Sequence, residues 1–284
     1  MKNLTKPKKN VDDVLGILKS DTTRGSTINE IESIIAILSE REVLYEQKVL
    51  DNTLFEIPRT QNISALVDKN KIISYYEYRL LNKPNGRLLY DEIMQSAPYE
   101  ICPFCTMRKV KTIDHFLPKS EYPSYAITPL NLVPCCRDCN MDKKISYPTE
   151  PKNQTFHPYF DNVENECWLK AELMQTEPLS FQFEVINPAN WDDVKFCRAV
   201  AHFNDYNINE LFSSNSNREL RAMQDQFRDL YTKDKRLLKI FLEDSFNSCQ
   251  NGAGLIDFKT LLYKELSSNN WFLNGCLGNS FFKK

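Results

Sequence analysis

Two pairs of cysteines with matching spacing set the strongest constraint on how this chain folds. In each pair two residues separate the cysteines, which lets both sulfurs face one metal ion from a tight turn. The pairs are Cys102 with Cys105 and Cys136 with Cys139. Four thiolates form a closed tetrahedral zinc site, so we expect a structural Zn²⁺ that fixes both ends of the segment between the pairs.

Cys135 leaves an alternative for the second pair. It directly precedes Cys136, and on a helix it would also lie close to Cys139. The spacing of the first pair favours Cys136. Disulfides are rare in a reducing compartment, so we expect the cysteines outside the two pairs to be buried free thiols. They are Cys135, Cys167, Cys197, Cys249 and Cys276.

Length and charge limit the possible classes of protein. A chain of 284 residues that is 42% hydrophobic can bury a sizeable core. Its net charge of −2 excludes a strongly basic nucleic-acid coat protein, so any phosphodiester would need a local patch, a metal ion or a partner. No apolar run reaches the length of a membrane span, and no apolar segment follows the basic N-terminus. These features predict a cytoplasmic protein that does not associate with membranes.

Helical periodicity dominates both sides of the cysteine block. Thr27 and Glu30 have the spacing of a capping box, which predicts a helix to about residue 48. Helices are also predicted over 63–81 and 217–243, after a break at 211–215, and alternation predicts a strand over 179–186. The expected class is mainly α with a small metal-organised centre, α+β overall. The expected regions are a helical 1–95, a centre at 96–162 and a mainly helical 163–284.

The segment between the cysteine pairs carries residues that a zinc clamp alone does not need. Phosphodiester hydrolysis requires a base to activate water, and the neutral imidazole of His115 suits that role near pH 7. It also requires a cation, and the oxygens of Asp114 and Asn140 are hard ligands that suit Mg²⁺. Asn131 can accept a hydrogen bond from the imidazole or brace its loop.

The order of these residues resembles the HNH endonucleases of the ββα-metal superfamily in their zinc-bearing form. The resemblance covers about residues 99–145, from the Asp-His pair through Asn-Leu to Cys-x-x-Cys-Asn-x-x-Lys. It implies a ββα-metal core and an endonuclease that hydrolyses phosphodiester bonds of DNA with Mg²⁺ or Mn²⁺. It further implies that His115 is the general base, that Asp114 and Asn140 hold the catalytic ion, and that Asn131 positions the base.

A wider pattern, which includes the later His157-Pro158-Tyr159-Phe160-Asp161, is similar to the HNH subunit of Septu-type anti-phage systems. That subunit works beside an SMC-like, ABC-type ATPase. The similarity implies an effector of a defence complex, with DNA as substrate and such an ATPase as partner.

Several other polar residues have two interpretations. Lys119, Lys143 and Lys144 can contact phosphates or be solvated surface charges. His157 can be a further ligand or phosphate contact, although packing in an aromatic loop is favoured. An alternative function for the whole chain is a zinc-stabilised module that binds nucleic acid or protein without cutting it. That alternative needs only the cysteines and leaves the acid, the histidine and the asparagines unexplained.

Overall fold

The computed structural model describes residues 1–143, 145–276 and 279–282. It divides the chain into two units, Met1–Asn162 and Val163–Lys284. The helical N-terminal region and the metal-organised centre expected from the sequence both lie within the first unit, and their separation stays a prediction.

Helices form most of the first unit before the cysteine block. They are α1 (Val11–Ser20), α2 (Gly25–Glu32), α3 (Ile35–Leu50), α4 (Lys69–Ser74) and α5 (Pro84–Gln95). Short 3₁₀ turns occur at Leu54–Glu56, Pro98–Glu100, Pro123–Tyr125, Pro129–Asn131 and Pro151–Asn153. One hydrophobic core collects the apolar faces of these helices together with residues of the centre. In α1 that face consists of Val11, Val14, Leu15 and Leu18.

The predicted capping box at Thr27 is wrong. Thr27 lies inside α2, and the residue that precedes α2 makes no side-chain cap. The predicted helix is interrupted at Ser33 and Ile34 and continues as α3, which ends at Leu50, close to the predicted end near residue 48. A capping box does form at α1, where the side chains of Asn10 and Asp13 each accept a hydrogen bond from the other's backbone N–H.

The helix predicted over 63–81 begins only at Lys69. Before it the chain folds back, with the Ile63 N–H donating to the Val67 carbonyl, and Asp68 caps the new helix by accepting from the Lys71 N–H at 2.8 Å. After α4 the backbone widens into a π-helical turn, Tyr75–Leu80. Such turns are rare in proteins, and many of those that occur lie at functional sites.

Two strands and a helix follow the first cysteine pair. β1 (Thr112–His115) and β2 (Leu132–Cys135) are antiparallel, with Asp114 opposite Val133 and His115 opposite Leu132. Helix α6 (Arg137–Lys143) begins directly after β2. The order strand, strand, helix therefore brings the second cysteine pair next to the start of β1.

The second unit combines a hairpin with long helices. Strands β3 (Leu169–Met174) and β4 (Ser180–Val185) pair in antiparallel fashion, and β4 confirms the strand predicted from alternation. The helices of this unit are α7 (Asp193–Asp205), α8 (Ile208–Lys233), α9 (Lys235–Ala253), α10 (Phe258–Ser268) and α11 (Asn270–Leu273).

The long helix predicted over 217–243 is wrong in its boundaries. Helix α8 runs through the predicted break because Ser214 and Asn215 bond back to the Leu211 carbonyl, at 3.1 and 2.8 Å, without leaving helical geometry. The break comes at Asp234, which is extended and accepts the Arg236 N–H at 2.8 Å, so that it caps α9.

In the described part of the chain the architecture is mainly helical with two small two-stranded sheets, which confirms the coarse class expected from the sequence. Among the same residues, no helix has the length and apolar character to cross a membrane.

Candidate metal centre and adjoining cavity

The four cysteines of the two pairs form one buried cluster. All four sulfurs lie within 4.8 Å of one another, and the Sγ atoms of Cys105 and Cys136 are 4.0 Å apart. Sulfurs that surround one zinc ion tetrahedrally at about 2.3 Å lie about 3.8 Å apart, so the spacing fits a metal ion at the centre. The cluster could therefore hold a structural metal such as zinc.

The sulfurs influence one another electrostatically. Hydrogen bonding with the Cys102 thiol, the largest cause, lowers the pKa of Cys105. The Cys136 sulfur also accepts the backbone N–H of Cys139 at 3.3 Å, and the pKa of Cys136 is lowered, again first through Cys102. Burial raises the pKa of Cys102, and hydrogen bonding with Cys102 raises that of Cys139. Thiolates are the form that ligates metals, so the contacts favour that form at Cys105 and Cys136 and oppose it at Cys102 and Cys139.

Cys135 does not belong to this cluster, so the interpretation that spacing favours, Cys136, agrees with the structure. Cys135 ends β2 opposite Thr112, and burial raises the pKa of its thiol. The expectation that the remaining cysteines are all buried is wrong, because Cys167 is exposed and Cys197 and Cys249 are half-buried.

A cavity of about 610 Å³ lies against β1 and α6, the helix that contains Cys139 and Asn140. Four of the residues that the sequence singles out line it: Asp114, His115, Lys119 and Asn140. The lining also includes side chains from α4 and the π-helical turn, namely Ile73, Tyr76 and Glu77. An acid, an imidazole, an amide and an ammonium group therefore border one space.

The imidazole of His115 is held in one orientation. Its Nε2 lies 2.9 Å from the Ala126 carbonyl oxygen, which can only accept, so we assign the hydrogen to Nε2 and the lone pair to Nδ1. Burial lowers the pKa of His115 to about 3, and the ring is therefore neutral at pH 7. The Tyr76 ring meets it edge-on with 4.4 Å between centroids.

Asp114 lies beside a buried lysine. The Lys143 ammonium donates to Oδ2 of Asp114 at 2.6 Å and to the His115 carbonyl at 2.8 Å. Burial raises the pKa of Asp114, and Lys143 opposes that effect. Lys143 is buried, so the alternative of a solvated surface charge is wrong for it, and its ammonium group is held by Asp114 and the His115 carbonyl. A phosphate contact by Lys143 stays a prediction. Lys144 lies outside the described residues.

Asn131 braces the loop that follows β1. Its Oδ1 accepts the Leu117 N–H at 2.7 Å, and its Nδ2 donates to the Leu117 and Tyr125 carbonyls at 3.0 and 3.1 Å. Of the two roles that the sequence allows, a hydrogen bond with the imidazole or a brace for the loop, these contacts correspond to the second.

His157 is buried and packs against Phe116, with 4.2 Å between ring centroids. Its Nδ1 accepts the Tyr159 N–H at 3.2 Å, which leaves the hydrogen on Nε2 to point at the Tyr45 hydroxyl oxygen, 3.1 Å away. It is not among the residues that line the cavity. These contacts correspond to the role that the sequence favours for His157, which is packing in an aromatic loop.

Sequence reasoning missed three residues of this region. The Tyr45 hydroxyl, from α3, donates to Oδ1 of Asn131 at 3.1 Å and so connects it to His157. Tyr76 contacts the imidazole, and Glu77 lines the cavity beside it. The three tyrosines Tyr75, Tyr76 and Tyr78 were visible in the sequence, but the π-helical turn that directs Tyr76 and Glu77 to the cavity was not.

One relative matches the chain over its full length. Protein ea31 of Escherichia phage lambda is 30% identical over 301 residues, which cover 100% of this chain and 99% of that protein. The chain belongs to the ea31 family. No family model matches this ea31-family chain. No solved structure matches it either. The relationship to ea31 spans both units, so the cysteine cluster and the cavity lie within it.

Proposed function

We propose that this ea31-family chain is a metal-dependent endonuclease of the HNH type that hydrolyses phosphodiester bonds of DNA. One observation carries the proposal: a buried, neutral imidazole shares a cavity with a carboxylate and an amide, His115 with Asp114 and Asn140. Hydrolysis of a phosphodiester needs these kinds of group, a base that is unprotonated at neutral pH and oxygen ligands for a divalent ion.

In the proposed mechanism His115 is the general base. Its Nδ1 takes a proton from water as the water attacks phosphorus, while the Ala126 carbonyl holds the hydrogen on Nε2 and keeps the ring from rotating. Asn131 positions this base indirectly, because it fixes the loop between His115 and Ala126 through Leu117 and Tyr125.

Asp114 and Asn140 would hold the catalytic ion, Mg²⁺ or Mn²⁺. A carboxylate and an amide oxygen are the hard ligands these ions prefer. When bound, the ion would stabilise negative charge on the phosphate and on the leaving oxygen. Asp114 would share its carboxylate between the ion and Lys143, which orients it.

We propose zinc for the cysteine cluster. Four buried sulfurs at this spacing suit a closed zinc site, which has no open position for catalysis. The ion would join the turn at Cys102 and Cys105 to the start of α6 and so fix Asn140 relative to β1.

Cleavage of plasmid DNA tests the endonuclease proposal. The purified chain is incubated with supercoiled DNA and Mg²⁺ or Mn²⁺, beside the His115→Ala and Asp114→Asn variants. We expect the parent to nick or linearise the DNA and both variants to lose at least a hundredfold in rate, in keeping with the loss of a general base or a metal ligand. Asp229→Asn, which removes an exposed carboxylate paired with Lys233 in the second unit, is the control and should cut like the parent.

Failure of the parent to cut with either ion would contradict the endonuclease proposal. Binding of DNA without cleavage would then favour the alternative of a zinc-stabilised binding module. The defence complex and the SMC-like ATPase partner expected from the Septu resemblance stay predictions.

A further inference from the structure

Glu77 is an acidic residue in a cavity proposed to receive a polyanion. The π-helical turn directs two consecutive residues to the cavity, Tyr76 and Glu77. The Glu77 side chain is 57% exposed, so its negative charge stays solvated and carries only a small desolvation penalty. The proposed mechanism uses neither its carboxylate nor its charge.

The partner of Glu77 is Lys119, a cation that also lines the cavity. The Lys119 ammonium lies 3.5 Å from Oε1 of Glu77 and 5.6 Å from the centre of the Tyr76 ring. The same ring contacts the His115 imidazole. Lys119 is therefore directed to the space where a phosphate beside the general base would lie, but a carboxylate already accompanies it.

An ammonium group that accompanies a carboxylate neutralises a phosphate less effectively. A phosphate that enters the cavity must displace Glu77 from Lys119 or accept repulsion from it, since like charges at short range oppose each other. The exposed pair itself is weak, so displacement is feasible once other contacts hold the nucleic acid.

We propose that Glu77 competes with the substrate phosphodiester for Lys119 and so weakens the binding of nucleic acid at the cavity. The inference rests on the proposed function, because it assumes that the cavity receives a phosphodiester. In this proposal Glu77 weakens the binding of nucleic acid and takes no part in catalysis. Charge removal at Glu77 should accordingly strengthen binding.

Fluorescence anisotropy with a labelled DNA duplex tests the proposal. All variants carry His115→Ala so that the DNA stays intact. We expect Glu77→Gln to bind about two- to fivefold more tightly at low salt, the range of an exposed ion pair. We also expect the plot of log affinity against log salt to steepen by about 0.9, because Lys119 then neutralises one more phosphate of the duplex. A change in slope reports a charge contact and is not expected from a merely structural effect.

Two further variants control the comparison. Glu32→Gln removes a carboxylate of similar exposure, which pairs with Lys19 at 2.5 Å and does not line the cavity, and should change neither affinity nor slope. Adding Lys119→Gln to Glu77→Gln should return the slope to the parent value or below it.

Three outcomes would overturn the inference. Unchanged or weaker binding by Glu77→Gln would show that Glu77 does not compete for the phosphate. Loss of Mg²⁺-dependent cleavage by Glu77→Gln with His115 restored, while DNA still binds, would make Glu77 a ligand of the ion instead. If the parent neither binds nor cuts DNA, the inference falls together with the proposed function. If the parent cuts DNA but Glu77→Gln leaves DNA binding unchanged, the inference alone is refuted.

Discussion

The Nζ of Lys143 lies 2.6 Å from Oδ2 of Asp114, and both side chains are almost fully buried. The ion pair ties α6 to β1, the two elements that carry Asn140 and His115. A buried pair adds little net stability, but loss of one partner leaves an uncompensated charge. Lys143 therefore determines whether Asp114 can stay ionised inside the fold.

We expect Lys143→Met to lower the free energy of unfolding of the first unit by about 3 to 5 kcal/mol, because Asp114 then remains buried without its counter-charge. The double variant Lys143→Met with Asp114→Asn should recover a large part of that loss. Urea denaturation followed by circular dichroism measures both. Lys170→Met is the control: it breaks an exposed cross-strand pair with Glu184 and should cost no more than about 1 kcal/mol. A loss no greater than that at Lys143 would contradict the assignment.

The cysteine cluster predicts zinc bound at one ion per chain. Elemental analysis of the purified protein should find it, and Cys102→Ala should lose both the metal and the folded first unit, because zinc binding in such a site is folding free energy. Cys135→Ala is the matched control, since this cysteine is equally buried but lies outside the cluster. It should keep a full complement of zinc. Full zinc content in Cys102→Ala would place the ligands elsewhere.

The Tyr45 hydroxyl joins His157 to Asn131, and its removal should loosen the loop that Asn131 braces. We expect Tyr45→Phe to lower the free energy of unfolding by about 1 to 3 kcal/mol, since buried polar groups lose their partner. Cleavage should fall more than zinc content does, because the loop positions His115. Tyr147→Phe, whose hydroxyl accepts from Arg59 at the surface, should be close to neutral in both measurements. Equal effects of the two substitutions would contradict a positioning role for Tyr45.

Local spacing predicted the features whose residues lie within a few positions of one another. The cysteine pairs were identified because a metal imposes their spacing, and β4 because its apolar residues alternate along one face. Tyr45 was missed because it lies 86 residues before Asn131 in the chain, and a contact over that distance leaves no periodic signal. Glu77 was missed because a π-helical turn brings it to the cavity, and such a turn leaves no periodic signal either. The long helix near Asp234 was misplaced because serine and asparagine, read as turn residues, can bond within a helix as well.

Gly86 controls how closely α5 approaches the π-helical turn. A Cβ at this position would lie 2.3 Å from the Arg79 carbonyl oxygen and 3.0 Å from the Leu80 Cα, and both are backbone atoms that cannot rotate away. We expect Gly86→Ala to push α5 off the turn, to destabilise the first unit by about 1 to 3 kcal/mol, and to reduce cleavage through displacement of Tyr76 and Glu77.

Gly16 is the matched control for this substitution, because a Cβ at that position within α1 meets no atom within 4 Å. Alanine there should raise the free energy of unfolding by about 0.5 to 1 kcal/mol through higher helix propensity. If the close approach holds the turn in place, urea denaturation gives opposite signs for the two variants and plasmid cleavage falls in Gly86→Ala alone. A stabilised or unchanged Gly86→Ala would show instead that the turn adopts its shape without α5.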